Sequence, residues 1–193
     1  MIDPEILEIL HLAIEEDHLV RLYRDDLTAW YETLYPIACS DRLIIGHSEN
    51  DFIFNGLRVL RLRDITWADT LDNDGIYEQI LHSEGMLDAL IDPKLDISGW
   101  QSLFDGLLGR PELVILERES LDEDKEDFNI GKVCKVTPRA VYIQYFDAFG
   151  KWEETLRRIP YTAITSVTLG SRYTEVFQRY LPPPPPAYFV NED

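Results

Sequence analysis

The sequence predicts an α+β protein made by tandem duplication, each half holding a helix, a five-stranded partly closed barrel and a closing helix. Three observations predict it. The apolar positions of the two halves fall into step. Ile6, Ile9, Leu10, Ala13 and Ile14 align with Trp100, Leu103, Phe104, Leu107 and Leu108, and Leu19-Val20-Arg21-Leu22 aligns with Leu113-Val114-Ile115-Leu116. After short slips, Leu57-Arg58 meets Leu156-Arg157, Ile65-Thr66 meets Ile164-Thr165, and Tyr77, Ile80 and Leu81 meet Tyr173, Val176 and Phe177. Second, each opening helix is followed by short apolar runs between turn-forming clusters, as strands require. Third, a small antiparallel sheet of about five strands curls to manage its edges. The units are residues 1–92 and 93–181, followed by a proline-rich tail at 182–193. Each is large enough to bury a core without disulfides or metal.

Asp3-Pro4 opens the first helix, a capping side chain followed by proline at the first helical position. The stripe at 6, 9, 10, 13 and 14 has helical spacing. Strands are predicted near 19–23, 34–39, 43–47, 57–63 and 65–68, with turns at 40–42 and 48–51, and a helix near 76–82. The second half restarts at Ser98-Gly99-Trp100-Gln101, which has capping-box spacing, and its helix ends at Gly109 before Pro111. Strands follow at 113–119, 131–136, 141–146, 156–161 and 164–169. Tyr173, Val176, Phe177, Tyr180 and Leu181 give the closing helix. The five prolines at 182–186 then force an extended rod. It carries Ala187, Tyr188, Phe189 and Val190 about 15 Å beyond the helix. Three apolar side chains on that spacer suggest docking, onto the same chain or across a dimer, with a loose terminus as the alternative.

The net charge is −18. Such a chain repels phosphate backbones, whose binding needs Lys and Arg to displace counterions, so nucleic acid and anionic membranes are disfavoured partners. The same field would speed encounter with a basic protein partner, although acidity of this kind also serves solubility alone. Cys39 and Cys134 offer at most one bridge, which points to a reducing compartment. The N-terminus lacks the basic and apolar regions of a signal peptide, and the apolar runs are too short to cross a bilayer. A cytoplasmic protein is expected.

In the second half, Gly131-Lys132-Val133-Cys134-Lys135-Val136, Ala140-Val141-Tyr142-Ile143 and the run from Ile159 to Val167 resemble an Sm-like barrel, a member of the SH3-like class. The last segment is similar to the bacterial Sm-like RNA chaperones, and the layout as a whole resembles a bacterial group with tandem barrels. The resemblance implies a helix before a bent five-stranded sheet, with Tyr161-Thr162-Ala163 in a tight turn before the fifth strand. It also implies rings formed through edge strands, and RNA bound by an aromatic and basic Tyr-Lys-His turn. This chain has Pro160-Tyr161-Thr162 at that turn, and Arg61-Leu62-Arg63 at the matching place in the first half. No RNA site carries over.

Candidate partner-binding residues are therefore sought elsewhere. They are the acidic run Asp122, Glu123, Asp124, Glu126 and Asp127, the loop or edge aromatics Trp152 and Tyr161, and Tyr188 and Phe189 of the tail. Glu8, His11, Glu15 and His18 share a helical stripe, but on the solvated side, where a metal site is not expected. No phosphate loop, nucleophile elbow or zinc tetrad is present in the sequence. The expectation is a non-enzymatic interaction protein with a protein partner and no cofactor, in an adaptor, regulatory or immunity-type role. A homodimer stays open. The alternatives are RNA binding through a degenerate Sm-like surface, and an enzyme whose site is assembled only in space.

Overall fold

A computed structural model describes residues 2–70 and 75–188. The first half contains α1 (Pro4–Glu15), β1 (Val20–Tyr23), β2 (Glu32–Cys39), β3 (Leu43–Asn50), β4 (Ile53–Arg61), β5 (Trp67–Thr70) and α2 (Gly75–Ser83). The second contains α3 (Trp100–Leu107), β6 (Leu113–Arg118), β7 (Asp127–Val136), β8 (Ala140–Tyr145), β9 (Arg157–Pro160), β10 (Ser166–Leu169) and α4 (Arg172–Tyr180). Asp3 caps α1 by accepting the Glu5 N–H at 2.9 Å, with Pro4 beginning the helix.

The expectation of two five-stranded Sm-like or SH3-like barrels is overturned. All ten strands form one open antiparallel sheet, in the order β5-β1-β2-β3-β4-β10-β6-β7-β8-β9. Each half runs in the order fifth, first, second, third, fourth strand, so β4 and β10 meet at the centre while β5 and β9 are the outer edges. The halves join where β4 meets β10, from Leu57 opposite Leu169 to Leu60 opposite Ser166. The edge that would otherwise need to curl is satisfied by the other half, so closure has no driving force.

Burial explains why the halves are not separate. Trp100, Leu103, Phe104 and Leu107 of α3 share one core with Leu43, Ile45, Leu57 and Val59 of the first half and with Val114, Leu116, Val141 and Val167 of the second. On the opposite face, α1 covers Val20, Leu22, Leu34, Ile44 and Leu60. Beyond them, Leu113, Ile115, Ile130, Phe146 and Trp152 pack with Phe177 of α4. Ile44 and Ile45 therefore point into different cores, and β3 is buried on both sides along most of its length. A strand in that position reads as a continuous apolar run, as Leu43-Ile44-Ile45 does.

The start of the β3–β4 connection differs from the sequence expectation. Residues 48–50, predicted as a turn, continue β3, and β3 and β4 join through Asp51 and Phe52, at φ 50° and 65°. A two-residue hairpin loop favours such left-handed pairs because their twist matches the strands. Phe52 is held there by its N–H, which donates to Glu49 at 2.7 Å, and by its ring stacked on Tyr77.

The segment leading to α3 is tied down by buried His47. Its Nε2 lies 2.9 Å from the Ile91 carbonyl oxygen and 3.1 Å from the Ile91 nitrogen. Burial lowers its proton affinity, and the Ile91 backbone bond works weakly against that. The unfolded chain thus takes up a proton more readily than the folded one. Stability from this site is present above the ordinary value of 6.5 and falls as pH drops through it. Amide exchange at Ile91, after correction for intrinsic rates, should accelerate between pH 7.5 and about pH 5.5 in the native protein but not in His47→Gln. Equal pH profiles would show that His47 is not the group responsible.

Candidate functional site

On the face between the α1 and α4 cores, the sheet is polar. Apolar alternation breaks at the join of the halves, where Arg58 of β4 faces Thr168 of β10, and Ser166 faces Glu117 of β6. Arg24, just after β1, and Glu32, at the start of β2, approach from the first half, and Glu119 from the second. Arg24 grips Glu119 with both terminal nitrogens, at 2.5 and 2.7 Å, and reaches Glu32 at 3.4 Å. Arg58 divides its guanidinium among Glu32 at 2.9 Å, Glu119 at 2.9 Å, Thr168 at 2.7 Å and Glu117. Arg24 is only 3% exposed.

The Glu119 position is completed by Thr165. Its hydroxyl accepts the Glu119 N–H at 2.9 Å and lies 2.7 Å from the carboxylate. In the first half Thr66 has the same arrangement with Asp25, at 3.3 and 3.0 Å, and lies 3.1 Å from the Tyr23 carbonyl oxygen. The Ile-Thr dipeptide preceding each fifth strand is thus a clamp on the segment that follows each first strand. Only the second-half clamp lies at the join and receives the arginines.

Burial pushes the Glu119 carboxyl up. The Arg24 hydrogen bonds, the charges of Arg24 and Arg58 and the Thr165 hydroxyl more than reverse this, holding it at about 2. Burial likewise opposes the charge on Arg58, but three carboxylates raise its proton affinity above the usual arginine range. The cluster sets three carboxylates, Glu32, Glu117 and Glu119, against two guanidiniums, Arg24 and Arg58.

Above it runs a groove of about 310 Å³ bordered by Trp30 and Tyr31. It continues over Glu32 and Arg58 into a cleft of about 250 Å³ bordered by Phe128 and Tyr173. All four rim aromatics are exposed, Trp30 to 81%. A separate cavity of about 610 Å³ is lined by Arg42, Arg61, Arg63, the start of α3 and Tyr161. Arg61 is already paired there with Asp64 at 2.5 Å.

No family model, curated protein or solved structure matches the chain.

The candidates named from sequence do not converge on the groove. Asp122, Glu123, Asp124, Glu126 and Asp127 are exposed; Asp122 pairs with Lys125 at 2.6 Å and Asp127 opens β7. Tyr161 stacks on Phe104 and donates to the Thr137 carbonyl at 2.8 Å. Trp152 lies in the core rather than in an exposed loop. It is 8% exposed, packed edge-on against Phe146, with its indole N–H donating to the Pro182 carbonyl. A loop aromatic became core because the tail returns over it. Tyr188 is exposed and docks its backbone on the same chain, and Phe189 lies outside the described residues. His18 sits 3.2 Å from Glu78 and 3.4 Å from Glu16. No helix among the described residues is long and apolar enough to cross a membrane.

The residues that sequence reasoning missed are Arg24, Glu32, Arg58, Glu117 and Glu119. Their signal was present: Arg58 interrupts the apolar run of β4, Glu117 lies near the end of β6 and Glu119 just follows it, so burying either strand had to gather charge.

Proposed function

We propose that the chain is a non-enzymatic interaction protein whose groove receives an extended basic segment of a protein partner. One observation carries the reading: a groove with a surplus carboxylate on its floor and exposed aromatic rings along its rim. An incoming ammonium or guanidinium meets carboxylate below and ring faces beside it, and a cation held over a ring gains about 0.5–2 kcal/mol. The net charge of −18 speeds the encounter with a basic partner and disfavours a phosphate backbone. Trp30, with 81% of its surface unburied, is the anchor.

Calorimetric titration with a Lys- and Arg-rich decapeptide tests this. Binding should weaken with salt, and Trp30→Ala should reduce affinity about tenfold. A Glu-rich decapeptide should not bind. Equal binding of wild type and Trp30→Ala would remove the groove as the site, and tighter binding of a single-stranded RNA would turn the reading to nucleic acid.

A further inference from the structure

The five prolines after α4 do not leave the molecule. Proline residues lack an N–H, so such a segment can be held only through its carbonyls and rings. Here two side-chain donors take the carbonyls. The Trp152 indole N–H donates to Pro182 at 2.8 Å, and the Gln144 amide donates to Pro185 at 2.9 Å. Their spacing matters: a polyproline helix has three residues per turn, so carbonyls three apart project from one edge. The two donors are thus matched to one turn of that helix. Both are built in, Gln144 being 3% and Trp152 8% exposed. Gln144 also donates to the Glu153 carbonyl at 3.2 Å, which fixes its amide. Beyond the prolines, Tyr188 completes a single parallel bridge at Thr155: its N–H donates to Glu154 at 2.8 Å and its carbonyl accepts from Leu156 at 3.1 Å.

The prolines themselves stay exposed. The tail is therefore held by a few hydrogen bonds, without ring burial to lock it in place. We propose that Trp152 and Gln144 form a receiving site for a polyproline-helix segment, occupied in the resting chain by residues 182–186 and open in exchange to a proline-rich segment of another protein. This surface is separate from the seam groove and does not depend on it. The bound tail acts as a competitor, so access is governed by the stiffness and length of the segment after α4.

The test uses the full chain and the blocked heptapeptide Pro-Pro-Pro-Pro-Pro-Ala-Tyr, followed through the Trp152 indole N–H resonance. A second full-length form carries Pro183→Gly, Pro184→Gly and Pro186→Gly, which makes the tail flexible and weakens its hold. The peptide should bind this form at least tenfold more tightly than wild type and return the indole resonance to its wild-type position. A control peptide with glycine at all five proline positions should not bind either form, a comparison that leaves the protein fold untouched. Equal affinity for both protein forms would overturn occupancy by the tail. Failure of the proline peptide to bind the glycine form, or equal binding of the control peptide, would overturn the receiving site itself.

Discussion

Arg58→Ala should destabilise the protein by about 3–5 kcal/mol at pH 7, the range expected when one member of a buried charged network is removed. Among the described residues, Arg58 is the only side chain that touches all three carboxylates at the join. Without it Arg24 remains on Glu119 and Glu32, but Glu117 loses its guanidinium partner and keeps only the Ser166 hydroxyl at 3.2 Å. Three carboxylates then face one cation. Urea denaturation measures the loss, and its pH dependence identifies the cause. Glu119 is held at about 2 against an ordinary 4.5, so the stability it contributes is present above 4.5 and disappears as pH falls towards 2. The gap between wild type and Arg58→Ala should therefore narrow over that interval. A loss below about 1 kcal/mol, like that of an exposed ion pair, would mean the network is solvated and does not join the halves.

The elements were largely legible in the sequence because each carries its own period and punctuation. Asp3-Pro4 marked the start of α1, and the spacing of Tyr173, Val176 and Phe177 marked α4. How the strands pair was not legible, because alternation tells which side chains share a face and says nothing about which strand lies alongside. The alignment of Arg58 with Arg157 shows the consequence. On β4, which has β10 beside it, Arg58 is enclosed by carboxylates. On β9, at the sheet edge, Arg157 pairs with Glu153 within its own strand connection and lies over the Tyr145 ring, 3.4 Å from its centre. The residue type repeats, and the neighbour that gives it a role does not. The continuous run Leu43-Ile44-Ile45 carried the clue that was available, since a strand of a separate one-layer barrel would have shown a polar outer side. The rim aromatics were not separable from core aromatics by type: Trp30 is exposed and Trp152 is covered by a carbonyl thirty residues away.

Gly56→Ala should cost clearly more than Gly109→Ala, although both glycines have φ +81°. A left-handed backbone with a side chain costs roughly 1–2 kcal/mol by itself, and both variants carry that penalty. At Gly109 an added methyl group meets nothing within 4 Å, so the penalty stops there. At Gly56 it would lie 2.4 Å from the Leu169 carbonyl oxygen and 2.6 Å from the Ser171 nitrogen, both backbone atoms of the other half. Backbone cannot rotate away as a side chain can, so β4 and β10 must separate at the end of their ladder, next to the Leu57–Leu169 pair. Overpacking of this kind adds about 1–3 kcal/mol. Denaturant melts of the two variants give the difference directly. Amide exchange should accelerate in β10 and in the opening residues of α4 for Gly56→Ala, and stay unchanged there for Gly109→Ala. If both variants lose the same stability with the same exchange pattern, the two halves do not approach so closely at Gly56, and the continuous ten-stranded sheet is wrong at its central joint.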